Sequence, residues 1–166
     1  MKREIRTPIS EEDIKSLHVG DTIYISGKIF CGRDAVLPKI CMLIHDDNLG
    51  YIDLQDSVIF HTAVSLAGVG PTSSNKVEIE ESIPVLSEAG VRLHLGKGAI
   101  GSDTISKLYE YNAVYAVIPP VTALLKNNTI SQCLVAFPEL GMEAFYELEV
   151  RDYPCIIAAA HNKSIY

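Results

Sequence analysis

From residue 58 to residue 118 the apolar residues switch repeatedly between a spacing of two and the spacing of a helix, and this alternation restricts the fold more than any other feature. Residues 58–61 and 91–95 read as short strands, and residues 114–118 as a buried one. Between them Ile79, Ile83 and Leu86 keep helical spacing up to Gly90. Ile105, Leu108 and Tyr109 do so again, with Ser102 or Asp103 as the cap and Asn112 as the stop. Both ends of the chain are β-rich, at residues 22–30, 130–137, 145–150 and 155–159. The expected class is therefore α/β, a mixed sheet flanked by helices. At 166 residues the chain can bury about 70% of its unfolded surface, enough for a core within one domain, 1–166.

The other segments fit that frame. Ser10-Glu11-Glu12-Asp13 is a capping box ahead of a short helix with Ile14 and Leu17 inside, stopping at Gly20. A turn at Cys31-Gly32-Arg33-Asp34 precedes a helix carrying Val36, Leu37, Ile40, Leu43 and Ile44, with Pro38 tolerated in its first turn. Pro84 is expected to kink or split the helix that follows Lys76. Pro119-Pro120 starts a further helix through Val121, Leu124 and Leu125, ended by Asn127-Asn128. Turns are expected at residues 138–141 and at Asp152-Tyr153-Pro154.

Several function classes are disfavoured by composition. The net charge is −7 and Lys plus Arg total only 14, with no basic stripe of the kind a nucleic-acid binder gathers. No run approaches the roughly 18 apolar residues that span a bilayer. Met1-Lys2-Arg3 leads into the chain without an apolar leader, so a cytoplasmic location is expected. Cys31, Cys41, Cys133 and Cys155 are scattered and form no metal-binding or disulfide pattern. Cys31, beside Gly32 and Arg33, is the thiol to watch. The acids and histidine of residues 45–50 read as a solvated loop rather than a metal site.

Three short stretches carry chemistry. Gly68-Val69-Gly70-Pro71-Thr72-Ser73-Ser74-Asn75-Lys76 offers bare backbone, three adjacent hydroxyls and a helix start, which together suit a carboxylate or phosphate. A polar turn with an N-cap explains the same residues. Arg33 and Asp34 lie between a strand end and a helix start, a favoured place for ligand-facing residues and equally for a surface ion pair. Gly96-Lys97-Gly98 sets an ammonium at a strand end, or simply forms a solvated turn.

These stretches, taken with Thr7-Pro8-Ile9-Ser10, Gly20-Asp21 and Phe137-Pro138-Glu139-Leu140-Gly141-Met142-Glu143-Ala144, resemble the β subunit of iron–sulfur-dependent class I fumarate hydratases and L-tartrate dehydratases. The likeness runs in order from Ile5 to Tyr166. It implies a swivelling β/β/α domain that closes over a separate α subunit, in an α2β2 assembly. That partner would carry the [4Fe-4S] cluster, and this chain would bind no metal. The implied activity is a hydro-lyase reaction on a small hydroxy-dicarboxylate. By similarity Thr72 takes part in proton removal and Lys97 joins it as a catalytic cation. Arg33, Lys76, Gly70 and Ser73 bind the substrate.

The chain also departs from the family pattern. Leu37 stands where family members have a histidine, and Lys76 where they have a second arginine, which is not equivalent where two-pronged binding matters. Ala63-Val64 replaces a Gly-Pro, Pro119-Pro120-Val121-Thr122 replaces a proline with glycines, and Ala160-His161-Asn162 replaces an acidic turn. A non-catalytic anion-binding or regulatory module on the same scaffold is the alternative these departures motivate.

Overall fold

The structure, a computed structural model, describes residues 3–65, 68–72, 76–118 and 122–165; for residues 65, 68–72, 76, 78 and 122–124 it describes the backbone alone. The chain runs through β1 (Arg3–Arg6), α1 (Glu11–Ser16), β2 (Thr22–Cys31), α2 (Leu37–His45), β3 (Ser57–Phe60), β4 (Thr62–Ser65) and β5 (Gly68–Thr72). It continues through α3 (Lys76–Glu88), β6 (Val91–Gly96), α4 (Ser102–Glu110), β7 (Val114–Val117), α5 (Thr122–Asn127) and β8 (Thr129–Ala136). A 3-10 segment at Pro138–Glu143 leads into β9 (Phe145–Ala160) and β10 (Lys163–Ser164).

The pairing of these strands closes on itself. β2 pairs β3, β3 pairs β6 and β6 pairs β7, all parallel, and β9 runs antiparallel to both β7 and β2. β1, β8 and β10 extend the sheet outside this circuit. Period-two alternation then sorts the side chains by face. Ile23, Ile25, Ile29, Val58, Phe60, Leu93, Leu95, Val114, Ala116, Leu148, Val150 and Ile157 share one core cluster. Ile59, of opposite parity to Val58 and Phe60, packs with Leu37 and Ile40 of α2 and Leu86 of α3, joined by Val91 at the start of β6, where the register against β3 shifts. Tyr115 meets Ile79 and Ile83 of α3 and Leu108 of α4.

The mixed sheet with flanking helices is as the sequence implied, and Ser10 caps α1 by accepting from the Asp13 N–H at 3.1 Å. Other local readings need correction. Within the glycine-rich stretch Gly68–Thr72 is a strand that pairs β4 in a two-stranded ribbon, Thr62 opposite Thr72 and Val64 opposite Val69, and a helix opens at Lys76 as expected. An isolated ribbon tolerates Pro71, which a central strand would not. Ser73, Ser74 and Asn75 lie outside the described residues, as do Pro119, Pro120 and Val121. α3 runs as one helix through Pro84. The α4 cap is Gly101, whose N–H is met by the Glu80 carboxylate from α3, so a neighbouring helix does what Ser102 or Asp103 was expected to do.

The turn expected at Asp152-Tyr153-Pro154 is instead a bulge in the 16-residue strand β9. Asp152 takes a φ of 52°, and the register against β2 shifts between Ile25 and Gly27. The Asp152 N–H finds the Ser26 hydroxyl at 3.0 Å, which satisfies the backbone group that the bulge unpairs. Cys31 is the last residue of β2, fully buried rather than in a turn.

Candidate functional site

The parallel strands end in one row. Cys31 is level with Phe60, Phe60 with Leu95, and Leu95 with Ala116. Beyond that row the backbones still touch: Gly32 N–H donates to Phe60 O at 3.1 Å, His61 N–H to Leu95 O at 2.9 Å, and Ile118 N–H to Gly96 O at 3.2 Å. Arg33 and Lys97 therefore emerge from the same rim, at the carboxyl ends of β2 and β6. The ribbon of β4 and β5 leaves from that rim immediately after His61, with Thr72 paired to its first residue, Thr62.

Arg33 does not stand alone on this rim. Its Nε donates to Glu143 Oε1 at 2.5 Å, its Nη2 reaches the same oxygen, and Asp34 Oδ1 lies 3.7 Å from Nε. Hydrogen bonding to Glu143 moves the Arg33 pKa above its ordinary value, opposed by burial and supported by the charges of Glu143 and Asp34. Glu143 belongs to the 3-10 segment before β9, and β9 opens level with the end of β2, Tyr146 opposite Cys31. Glu143 Oε2 is buried and has no hydrogen-bond partner among the described residues. Lys97 is exposed, in a turn fixed by the Tyr115 hydroxyl donating to Gly98 O at 3.1 Å. A Cβ at Gly96 would lie 3.0 Å from that hydroxyl, so a larger residue there would press on the turn.

The remaining expected site residues are placed by backbone only. Gly70 and Thr72 lie on β5, and Lys76 opens α3; their side chains, and Ser73 as a whole, lie outside the described parts of the structure. Leu37, at the start of α2, is fully buried and packs in the core.

A second set of polar groups was not foreseen. His61 Nε2 lies 3.1 Å from His94 Nδ1, and His94 Nε2 lies 2.9 Å from the Ser87 hydroxyl. All three residues are at most 1% exposed. Burial pushes the His61 pKa down to about 4; burial and its neighbour together push His94 well below the ordinary imidazole value. Both rings are therefore neutral at ordinary pH. Nothing local announces this trio, because His61 follows β3, His94 lies on β6 and Ser87 on α3, and they meet only when these elements pack. Glu143 lies in the Phe137–Ala144 stretch that carries part of the family resemblance, which gives it a sequence signal without a specific role.

In chemical terms the rim offers a guanidinium held by Glu143 and Asp34 and an exposed ammonium beside bare backbone, a combination that suits a small carboxylate. Among the described residues no group of three His, Cys, Asp or Glu side chains is placed to hold a metal ion, and Cys31, Cys41 and Cys155 are each buried and in no disulfide. The donor set described does not fit an iron–sulfur cluster.

Fold and rim together define an α/β protein with cationic side chains at the carboxyl ends of two parallel strands that flank β3. A family model described as Fumarase C-terminus matches residues 2–166, and the chain belongs to that family. It is 31% identical over 173 residues to the "Putative L(+)-tartrate dehydratase subunit beta" of Methanocaldococcus jannaschii, covering 95% of this chain and 88% of that one. It is 29% identical over 186 residues to the L(+)-tartrate dehydratase subunit beta of Escherichia coli strain K12, covering 100% of this chain and 90% of the relative. Against the "Putative fumarate hydratase class I" of Geobacillus stearothermophilus it is 29% identical over 175 residues, 98% of this chain but only 33% of that longer protein.

Proposed function

We propose that this chain is the β subunit of a hydro-lyase of the tartrate dehydratase or class I fumarate hydratase type. It adds or removes water on a small hydroxy-dicarboxylate together with a separate α subunit, in the cytoplasm and as an α2β2 assembly. In this reading residues 1–166 are one swivelling β/β/α domain that closes over the partner. The observation that carries the reading is the full-length membership of the Fumarase C-terminus family combined with Arg33, Lys97 and the Thr72 ribbon leaving one rim.

The chain's own residues have distinct tasks. Arg33 presents a planar fork to one carboxylate, with Glu143 and Asp34 holding it in orientation. Lys97 supplies an ammonium where negative charge builds as the C–H proton leaves. Thr72 takes part in moving that proton; a neutral hydroxyl is a weak base, so it acts beside a cation such as Lys97 or Lys76. Gly70 and Ser73 contribute a close backbone and a hydroxyl to the ligand. The partner's [4Fe-4S] cluster, when present, supplies Lewis acidity at the departing hydroxyl.

Anaerobic co-expression with a cluster-bearing α subunit, followed by assay on malate, fumarate and tartrate, tests this. A stable complex with turnover on at least one substrate is expected. Thr72→Ala and Lys97→Met should each lower kcat by about 100-fold or more while the complex still assembles. Absence of both complex and turnover would overturn the reading. A complex without turnover would favour the second reading, a non-catalytic anion-binding or regulatory module. The apolar, fully buried Leu37 at the position of a family histidine motivates that alternative.

A further inference from the structure

His61 occupies the point where the chain leaves the closed strand circuit and enters the ribbon. The residue before it, Phe60, accepts from the N–H next to Arg33; its own N–H donates to Leu95, two residues before Lys97; the residue after it, Thr62, pairs with Thr72. One buried side chain thus sits at the junction of all three arms of the candidate site. That side chain is tied through His94 on β6 to Ser87 on α3.

The tie is a poor choice if its purpose is stability. His61 Nδ1 is buried and has no partner among the described residues. An unmet buried polar atom is destabilising, whereas replacing a whole buried polar pair by apolar groups is often neutral or stabilising. Neutral imidazoles also give direction that aliphatic packing does not. Each ring nitrogen is a donor or an acceptor, so ring orientation and hydrogen-bond sense are set together along the chain.

We propose that His61 is a positioning residue: the Ser87–His94–His61 chain sets the angle at which the β4–β5 ribbon leaves the rim, and so places Thr72 relative to Arg33 and Lys97. The catalytic consequence rests on the hydro-lyase reading; the effect on the ribbon does not. Misplacement of a reacting group by about 1 Å costs on the order of 100-fold in rate. Loss of the chain therefore shows in kcat rather than in KM or in folding.

The test uses three variants in the αβ complex. His61→Gln keeps an amide near the Nε2 position and should retain at least about a third of kcat. His61→Asn reaches only the Nδ1 position and should lose about 10-fold or more. The double variant His61→Phe with His94→Leu should lose kcat to a similar degree with KM and the melting temperature unchanged or the latter raised. Wild-type kcat in the double variant, or a rate loss that simply follows lost stability, overturns the proposal. If the wild-type complex turns over no substrate, backbone NMR of the chain decides instead. Amide shifts of residues 68–72 should move in the double variant and hold in His61→Gln; unmoved shifts in the double variant overturn the proposal independently of the reaction.

Discussion

Arg33 carries its charge on a planar fork, and one edge of it, Nε and Nη2, is engaged by a carboxylate from the far end of the chain. Glu143 and Arg33 are about three-quarters buried at their side chains, 25% and 27% exposed, so their pairing is worth more than a surface ion pair and less than a fully buried one. Glu143→Gln keeps the shape and removes the charge. It should cost about 1–2 kcal/mol in urea unfolding, with most of the structure intact. The thiols give a second residue-scale expectation. Burial raises the Cys31 and Cys155 pKa values above the ordinary thiol range, whereas Cys133 is exposed on β8. Brief treatment of the folded chain with iodoacetamide should modify Cys133 first, read by mass spectrometry; Cys31, which its sequence neighbours marked out, should stay unmodified until the chain unfolds.

At the scale of elements, β2 and β9 form the longest pairing in the molecule, and its register turns on a bulge and a glycine. Gly27 has a φ of 113°, where a side chain is strained, and a Cβ there would run into the Thr7 hydroxyl and its backbone. Gly27→Ala should therefore destabilise the fold by about 2 kcal/mol or more, measured by chemical denaturation, with no change of topology. The same pairing shows how a local reading fails. Asp152-Tyr153-Pro154 has turn chemistry, but Tyr153 is fully buried and edges the Phe60 ring at 6.2 Å, so tertiary packing keeps the strand going and the turn residue becomes a bulge. The Gly68–Thr72 stretch differs from its local reading in the same way. Its glycines and proline suit a loop locally, yet its backbone pairs with β4, Val69 level with Val64, in a ribbon.

For the whole molecule, the buried histidines link stability to pH. An imidazole whose folded pKa is lowered to about 4, against an ordinary 6.5, binds fewer protons folded than unfolded throughout that interval. Stability is then complete above pH 6.5 and falls as the pH drops toward 4, where protonation begins to enter the folded state. His61 alone should cost about 2 kcal/mol at pH 5, and His94 adds to it in the same direction. Denaturation at pH 7 and pH 5 should show a clear loss for the natural chain. The double variant lacking both imidazoles should show a markedly smaller one, and equal losses would mean that other groups control acid unfolding.

The sequence by itself determined the layer order. Apolar periods of two and near 3.6 leave few ways to bury both kinds of face, and they yield a mixed sheet with helices whatever the details of turns. It also marked Arg33, Lys97 and the Thr72 stretch as the places where chemistry and strand ends coincide. Only the tertiary structure decided that the strands close into a circuit, that Glu143 is held against Arg33, and that His61, His94 and Ser87 join across three elements. These are contacts between residues far apart in the chain, and a periodicity reports which face a side chain takes, not which distant side chain it meets there.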